Sequence, residues 1–160
     1  MVIWLTGLSG SGKTTIGKEL KKKLKNAILI DGDLLRKKHP CGFTIKERRK
    51  NIQRAIKLAK KYQKEGKIAI VALTSPFLDQ RIKARRLFKD FIEVYLKCPI
   101  EICEKRKPEI YKKKKYIVGR DIKYEAPLFP EIVIETDKIS LKEAVKKIFL
   151  FLKKWRRLKK

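Results

Sequence analysis

The chain has 160 residues, 43% of them hydrophobic and 9% aromatic, which is enough for the core of one domain and excludes a disordered chain. It carries 44 Lys and Arg against 17 Asp and Glu, a formal net charge of +27 that points to anionic partners. The two densest basic clusters, Lys105–Lys115 and Lys153–Lys160, hold less than half of that charge, so the excess reads as a solvated basic surface, and any nucleic-acid binding is expected to be non-specific.

Val2 to Leu5 predicts a buried strand, followed by a Gly/Ser loop and a helix from about Lys13 to Lys25. Ala27 to Ile30 predicts a second strand that ends on the acidic turn Asp31-Gly32-Asp33. Ile52, Ala55, Ile56 and Ala59 recur at helical spacing and predict a helix over Ile45 to Lys64, stopped at Gly66. Ile68 to Leu73 is a third apolar strand, broken by Thr74-Ser75-Pro76, and a short basic helix follows around Gln80 to Phe88. Phe91 to Leu96 and Glu131 to Glu135 are the fourth and fifth strands. Between them, Cys98 and Cys103 flank Pro99 at a strand end and a helix start, and the basic, proline-bounded stretch 108–130 is the expected mobile lid. Ser140 to Leu158 predicts a closing helix with Ser140 and Glu143 as its capping box.

Apolar strands without polar alternation, separated by helices, imply an α/β fold: a five-stranded parallel sheet with helices on both faces, in a single domain over 1–160. The apolar runs are strand-sized, and the N-terminus shows no basic segment leading into a long apolar one, so the expected location is the cytoplasm. Cys41, Cys98 and Cys103 are then expected as reduced thiols, and with His39 the only histidine a Cys/His metal site is not expected. Two Asn and three Gln resemble the composition of a hyperthermophile protein, although such proteins balance Lys with more Glu.

Gly7-Leu8-Ser9-Gly10-Ser11-Gly12-Lys13-Thr14 fits the phosphate-loop pattern GxxxxGK[ST] without a mismatch, between a strand and a helix. Glycines let backbone N–H groups turn toward phosphate, and the helix N-terminus adds its positive dipole end. Lys13 can reach the β- and γ-phosphates of ATP, and the Thr14 hydroxyl can hold Mg²⁺ together with phosphate oxygens and water. The third strand ends without a carboxylate. The carboxylates follow the second strand instead, so Asp31 or Asp33 faces the space where an acceptor hydroxyl would lie.

Together these residues resemble the adenylylsulfate kinase family, which phosphorylates the 3′-hydroxyl of adenosine 5′-phosphosulfate (APS). The resemblance rests on Ile3 to Thr15, the DGDxxR segment Asp31–Arg36, Gly42-Phe43, Arg48, Asn51-Ile52 and Arg54, then Ser75-Pro76 with Arg81 and Arg85. It continues through Phe91 to Tyr95, Cys103 to Arg106 and the YEAP segment Tyr124–Pro127. It implies a P-loop kinase fold with ATP and Mg²⁺ as cofactors, ATP held by residues 7–15 including Thr15, and Arg106 against the ATP adenine. Asp33 would be the carboxylate near the acceptor hydroxyl; Arg36, Arg48 and Asn51 would contact APS; Phe43 would stack on its adenine. Ser75 matches the family's active-site serine. The departures lie in the lid, where Arg106-Lys107-Pro108-Glu109-Ile110-Tyr111 is one residue short of the family's pattern. A second aromatic that closes on the APS adenine would be replaced by Ile117 or supplied by Tyr116, and Lys112 to Lys115 would restore the lost positive charge.

Three rival readings stay open in the sequence: a P-loop kinase for another small molecule or nucleotide, a nucleic-acid-binding protein using the basic surface, and a membrane-surface role for the tail 148–160. Oligomeric state is also open, with a homodimer among the options.

Overall fold

The computed structural model describes residues 1–112 and 115–158; Lys113, Lys114, Lys159 and Lys160, on which part of the expected lid and tail charge falls, lie outside the described residues. In chain order the elements are β1 (Val2–Thr6), α1 (Lys13–Lys23), β2 (Ala27–Asp31), α2 (Gly32–Lys38), α3 (Ile45–Lys64) and β3 (Ile68–Ala72). They continue with α4 (Leu78–Leu87), β4 (Phe91–Lys97), α5 (Ile100–Arg106), α6 (Pro108–Tyr111), β5 (Ile132–Glu135) and α7 (Leu141–Leu158). The five strands form one parallel sheet in the order β2-β3-β1-β4-β5.

The continuous apolar strands bury both faces of this sheet, as parallel strands do. Val2 and Trp4 of β1 point to one face and pack with Ile52, Ala55 and Ala59 of α3 and Ala84 of α4. Ile3 and Leu5 point to the other, where Ile16 and Leu20 of α1 and Ala144, Ile148 and Leu152 of α7 cover them. Each fully buried Ile or Leu there contributes about 2 kcal/mol. The apolar stripe of α7 is thus occupied by the sheet, which removes the main support for a membrane-surface tail. Among the described residues no helix is long and apolar enough to cross a membrane.

One prediction needs correction. Asp31-Gly32-Asp33 is not a free turn but the start of helix α2. Asp31 is its N-cap, accepting from the amides of Asp33 (3.0 Å) and Leu34 (3.2 Å), and the helix stops just before Pro40. Seven residues gave too little periodicity to separate this helix from a loop. The expected lid, by contrast, has ordered anchors: Ile117, Val118 and Ile122 are buried, and Tyr124 Oη shares a 2.8 Å hydrogen bond with Thr6 Oγ1.

Candidate active site

The carboxyl ends of β1, β2 and β3 open into one cleft of about 810 Å³. At its centre the phosphate loop leaves β1 and enters α1. Gly10 has φ +90°, and a Cβ there would sit 2.6 Å from the Cys103 carbonyl, so only glycine fits between the loop and α5. Gly12, at φ +93°, is the left-handed N-cap of α1, and the first amides of that helix have no intrahelical acceptor.

Lys13 is buried, with Nζ donating to the carbonyls of Gly7 (2.9 Å) and Leu8 (2.6 Å). Burial pushes its pKa down from 10.5 to about 8, and the charges of Asp33 and Asp31 are among those that oppose the shift. Thr14 Oγ1 donates a 2.6 Å hydrogen bond to Asp31 Oδ2, so this carboxylate both caps α2 and orients the hydroxyl expected at the metal. No group of three or more His, Cys, Asp or Glu among the described residues gathers to hold an ion. The Thr14 hydroxyl, held by Asp31 at the end of the phosphate loop, is a donor that fits Mg²⁺ bound together with phosphate oxygens and water.

Asp33 lies on the cleft side of α2 with its side chain 70% exposed, and Arg36 Nη1 is 3.8 Å from it. Arg36 and Arg48 both lie over the Phe43 ring, at 4.6 and 5.3 Å from its centroid. The turn that presents Phe43 is fixed by a capping box. Thr44 caps α3, and the Glu47 carboxylate accepts from the Thr44 hydroxyl (2.7 Å) and from the amides of Gly42 (2.9 Å) and Thr44 (3.1 Å), which together hold its pKa below the usual value. Arg48 donates to the carbonyls of Phe43 (2.9 Å) and, across the cleft, Tyr116 (2.8 Å). Burial, then the like charge of Arg36, lowers the Arg48 pKa to about 10. Asn51 is 1% exposed and donates to the Gly32 carbonyl at 3.3 Å, while its Oδ1 has no hydrogen-bond partner among the described residues.

The sequence-predicted residues converge. Ser9 to Thr15, Asp31, Asp33, Arg36, Phe43, Arg48, Asn51, Ser75 and Arg106 all line the cleft, whereas Gly7 and Leu8 stand behind it as the carbonyls that hold Lys13. Ser75 is 2% exposed, and its Oγ accepts from the Trp4 indole at 3.1 Å. Arg106 bridges the phosphate loop and the end of β5, donating to the carbonyls of Gly10 (3.4 Å) and Thr136 (2.7 Å). Of the two lid candidates, the Ile117 side chain packs into a small cluster with Cys98, Cys103 and Tyr111, and Tyr116 stands 45% exposed at the cleft. Cys98 and Cys103 are free buried thiols, and burial pushes Cys103 up to about 12, far from a reactive thiolate.

Sequence reasoning missed Thr136 and Tyr111. Thr136 follows β5, so its place at the carboxyl edge of the sheet was the available signal. Tyr111 donates from its phenol to the Ser9 carbonyl (2.8 Å), a contact across 102 residues with no sequence signal.

A phosphate loop on β1 of a five-stranded parallel sheet, opposite a carboxylate on α2, defines a P-loop kinase. The family model for adenylylsulphate kinase matches residues 1–135, and on that match the chain belongs to the adenylylsulfate kinase family. It is 45% identical to an adenylyl-sulfate kinase of Clostridium acetobutylicum, over 95% of this chain and 82% of that one. It is also 45% identical to one of Thermodesulfovibrio yellowstonii, over 95% and 83%. A solved structure of the Mycobacterium tuberculosis APS kinase in complex with AMPPNP and APS superposes with a TM-score of 0.88 at 30% identity, covering 95% of this chain and 96% of that one.

Proposed function

We propose that this chain transfers the γ-phosphoryl group of ATP to the 3′-hydroxyl of APS, giving 3′-phosphoadenosine 5′-phosphosulfate and ADP. The acceptor oxygen forms a bond to the γ-phosphorus as the bond to the β-phosphate bridging oxygen breaks, and the hydroxyl proton passes to Asp33. Lys13 and the loop amides neutralise charge on the transferring group. The Thr14 hydroxyl, oriented by Asp31, would hold Mg²⁺, which would supply further neutralisation of the phosphates. Arg106 lies beside the ATP adenine, and Ser75 acts through the cleft wall it forms.

The observation that carries the acceptor assignment is the pair Arg36 and Arg48. Two guanidiniums share the face of the cleft around Phe43, and burial, then their like charge, lowers the Arg48 pKa. A phosphosulfate anion supplies the missing negative charge, and planar forks suit its oxygens. The adenine of APS then meets Phe43 beside these guanidiniums, with Tyr116 across the cleft. Every group named comes from one chain, so a homodimer would carry two such sites. Incubation with ATP, Mg²⁺ and APS, followed by mass analysis of the nucleotides, tests the reading. Product 80 Da heavier than APS, matched by ADP, is expected; ATP consumed without phosphorylated APS would refute it.

A further inference from the structure

Arg81 of α4 is 1% exposed yet carries a charge, and the reaction described above does not use it. Its Nε donates to Glu93 Oε1 of β4 at 2.9 Å, and its guanidinium lies 5.6 Å from the Tyr124 ring centroid. Its two terminal nitrogens donate to main-chain carbonyls, one to Ser75 and the other to Glu125. Arg85 braces the same carboxylate, 3.2 Å from Glu93 Oε2, and pairs with Glu131, which in turn accepts the Glu93 amide at 2.7 Å. Packing alone does not call for a buried ion pair, because apolar side chains of the same volume fill such a space at no electrostatic cost. The two carbonyls are what an apolar side chain could not hold.

The Ser75 carbonyl belongs to a residue that lines the cleft, and the Glu125 carbonyl to the segment that follows the lid. Ser75 sits at φ +44°, a left-handed conformation that a non-glycine residue keeps only when its surroundings enforce it. Its neighbours in the turn are pinned as well: the Thr74 carbonyl accepts from Thr6 Oγ1 (2.9 Å), and the Pro76 carbonyl from the Glu125 amide (2.9 Å). Glu125 is where the chain returns from the lid, and its carboxylate accepts the Leu78 amide at the head of α4. Removing the guanidinium would leave the buried Ser75 carbonyl without its donor and free the turn to leave the left-handed region.

We propose that Arg81 is a positioning residue. Through Ser75 and Glu125 it fixes the acceptor wall and ties the returning lid segment to it, with Glu93 holding the guanidinium in line. It touches neither ATP nor APS. The inference rests on the reading that this half of the cleft binds APS.

Steady-state kinetics of Arg81→Lys and Glu93→Gln beside the wild-type enzyme, varying APS and ATP separately, test it, with circular dichroism reporting the fold. An ammonium keeps the charge opposite Glu93 but cannot serve three acceptors in a plane. Arg81→Lys should raise KM for APS by about 10-fold or more while KM for ATP stays within about twofold. Glu93→Gln should move the same constant by about threefold. A merely structural role would lower the melting temperature and kcat and leave both KM values alone, and that result, or equal rises in both, would overturn the proposal. If Arg81→Lys does not fold, Glu93→Gln decides alone, and an unchanged KM for APS overturns it. The wild-type arm is separate: no ADP release with APS would remove the substrate assignment, and the same comparison would then be made with whichever acceptor the enzyme uses.

Discussion

The two ends of the cleft are built in different ways. At the donor end, Lys13 bonds to Gly7 and Leu8, partners no more than six residues away, and the loop takes its shape from glycines at fixed spacing. At the acceptor end, Arg48 reaches a carbonyl 68 residues distant, and Arg36, Phe43 and Asn51 arrive from α2, α3 and the turn between them. The grip on Lys13 is local, although Arg106 and Tyr111 reach the same loop from far along the chain, whereas the acceptor side joins the α2–α3 segment to the lid through the Arg48–Tyr116 contact. Changes at Tyr116 are therefore expected to bear on the acceptor, whereas changes at Tyr111 would also reach the phosphate loop.

Several substitutions sharpen this contrast. Lys13→Ala removes the cation at the transferring group, and turnover should fall by about 10³-fold or more; most of the wild-type rate surviving would break the donor assignment. Asp33→Asn keeps size but cannot take a proton, so kcat should drop about 10²-fold, and a change confined to KM for ATP would place the base elsewhere. Arg48→Ala should raise KM for APS about 10- to 100-fold, with the ATP constant nearly unchanged. If both constants rise together, the two ends are not separable.

The smallest expected effect is a pH dependence at the donor end. Burial holds Lys13 near 8 in the folded, nucleotide-free protein, below its ordinary 10.5. Between those values the unfolded chain binds more protons, so nucleotide-free stability should rise as pH climbs from 8 toward 10.5. Phosphate restores the ammonium, so ATP binding takes up a proton there, and affinity should weaken by up to about tenfold per pH unit above 8. Calorimetry in buffers of different ionisation enthalpy measures that uptake. Lys13→Met should abolish it.

Legibility follows the same division. The donor loop, the five strands and the long helices α3 and α7 lie in contiguous patterns, and the sequence shows them within a residue or two of their observed ends. Helix α2 was hidden because one capping aspartate, Asp31, looks the same at a turn and at a helix start. The Thr136–Arg106 and Tyr111–Ser9 contacts were not visible, since they depend on β5 and α6 folding back to the loop. The acceptor residues were named through family resemblance; periodicity alone would have left Arg48 as one more surface cation among 44. Glu93 was the internal hint of the Arg81 network, a buried carboxylate among the apolar residues of β4.

On the proposed reaction, the acceptor end selects a sulfated adenylate through Arg36 and Arg48. Adenosine 5′-monophosphate keeps the adenine and the 3′-hydroxyl and lacks only the sulfate, so initial rates of ADP release with APS and with this analogue, at matched subsaturating concentrations, isolate that selection. A guanidinium left without sulfate oxygens to pair with penalises the analogue, and APS should be preferred by at least about 10²-fold. Equal rates with the two acceptors would contradict the account, leaving a P-loop kinase whose altered lid takes a different substrate.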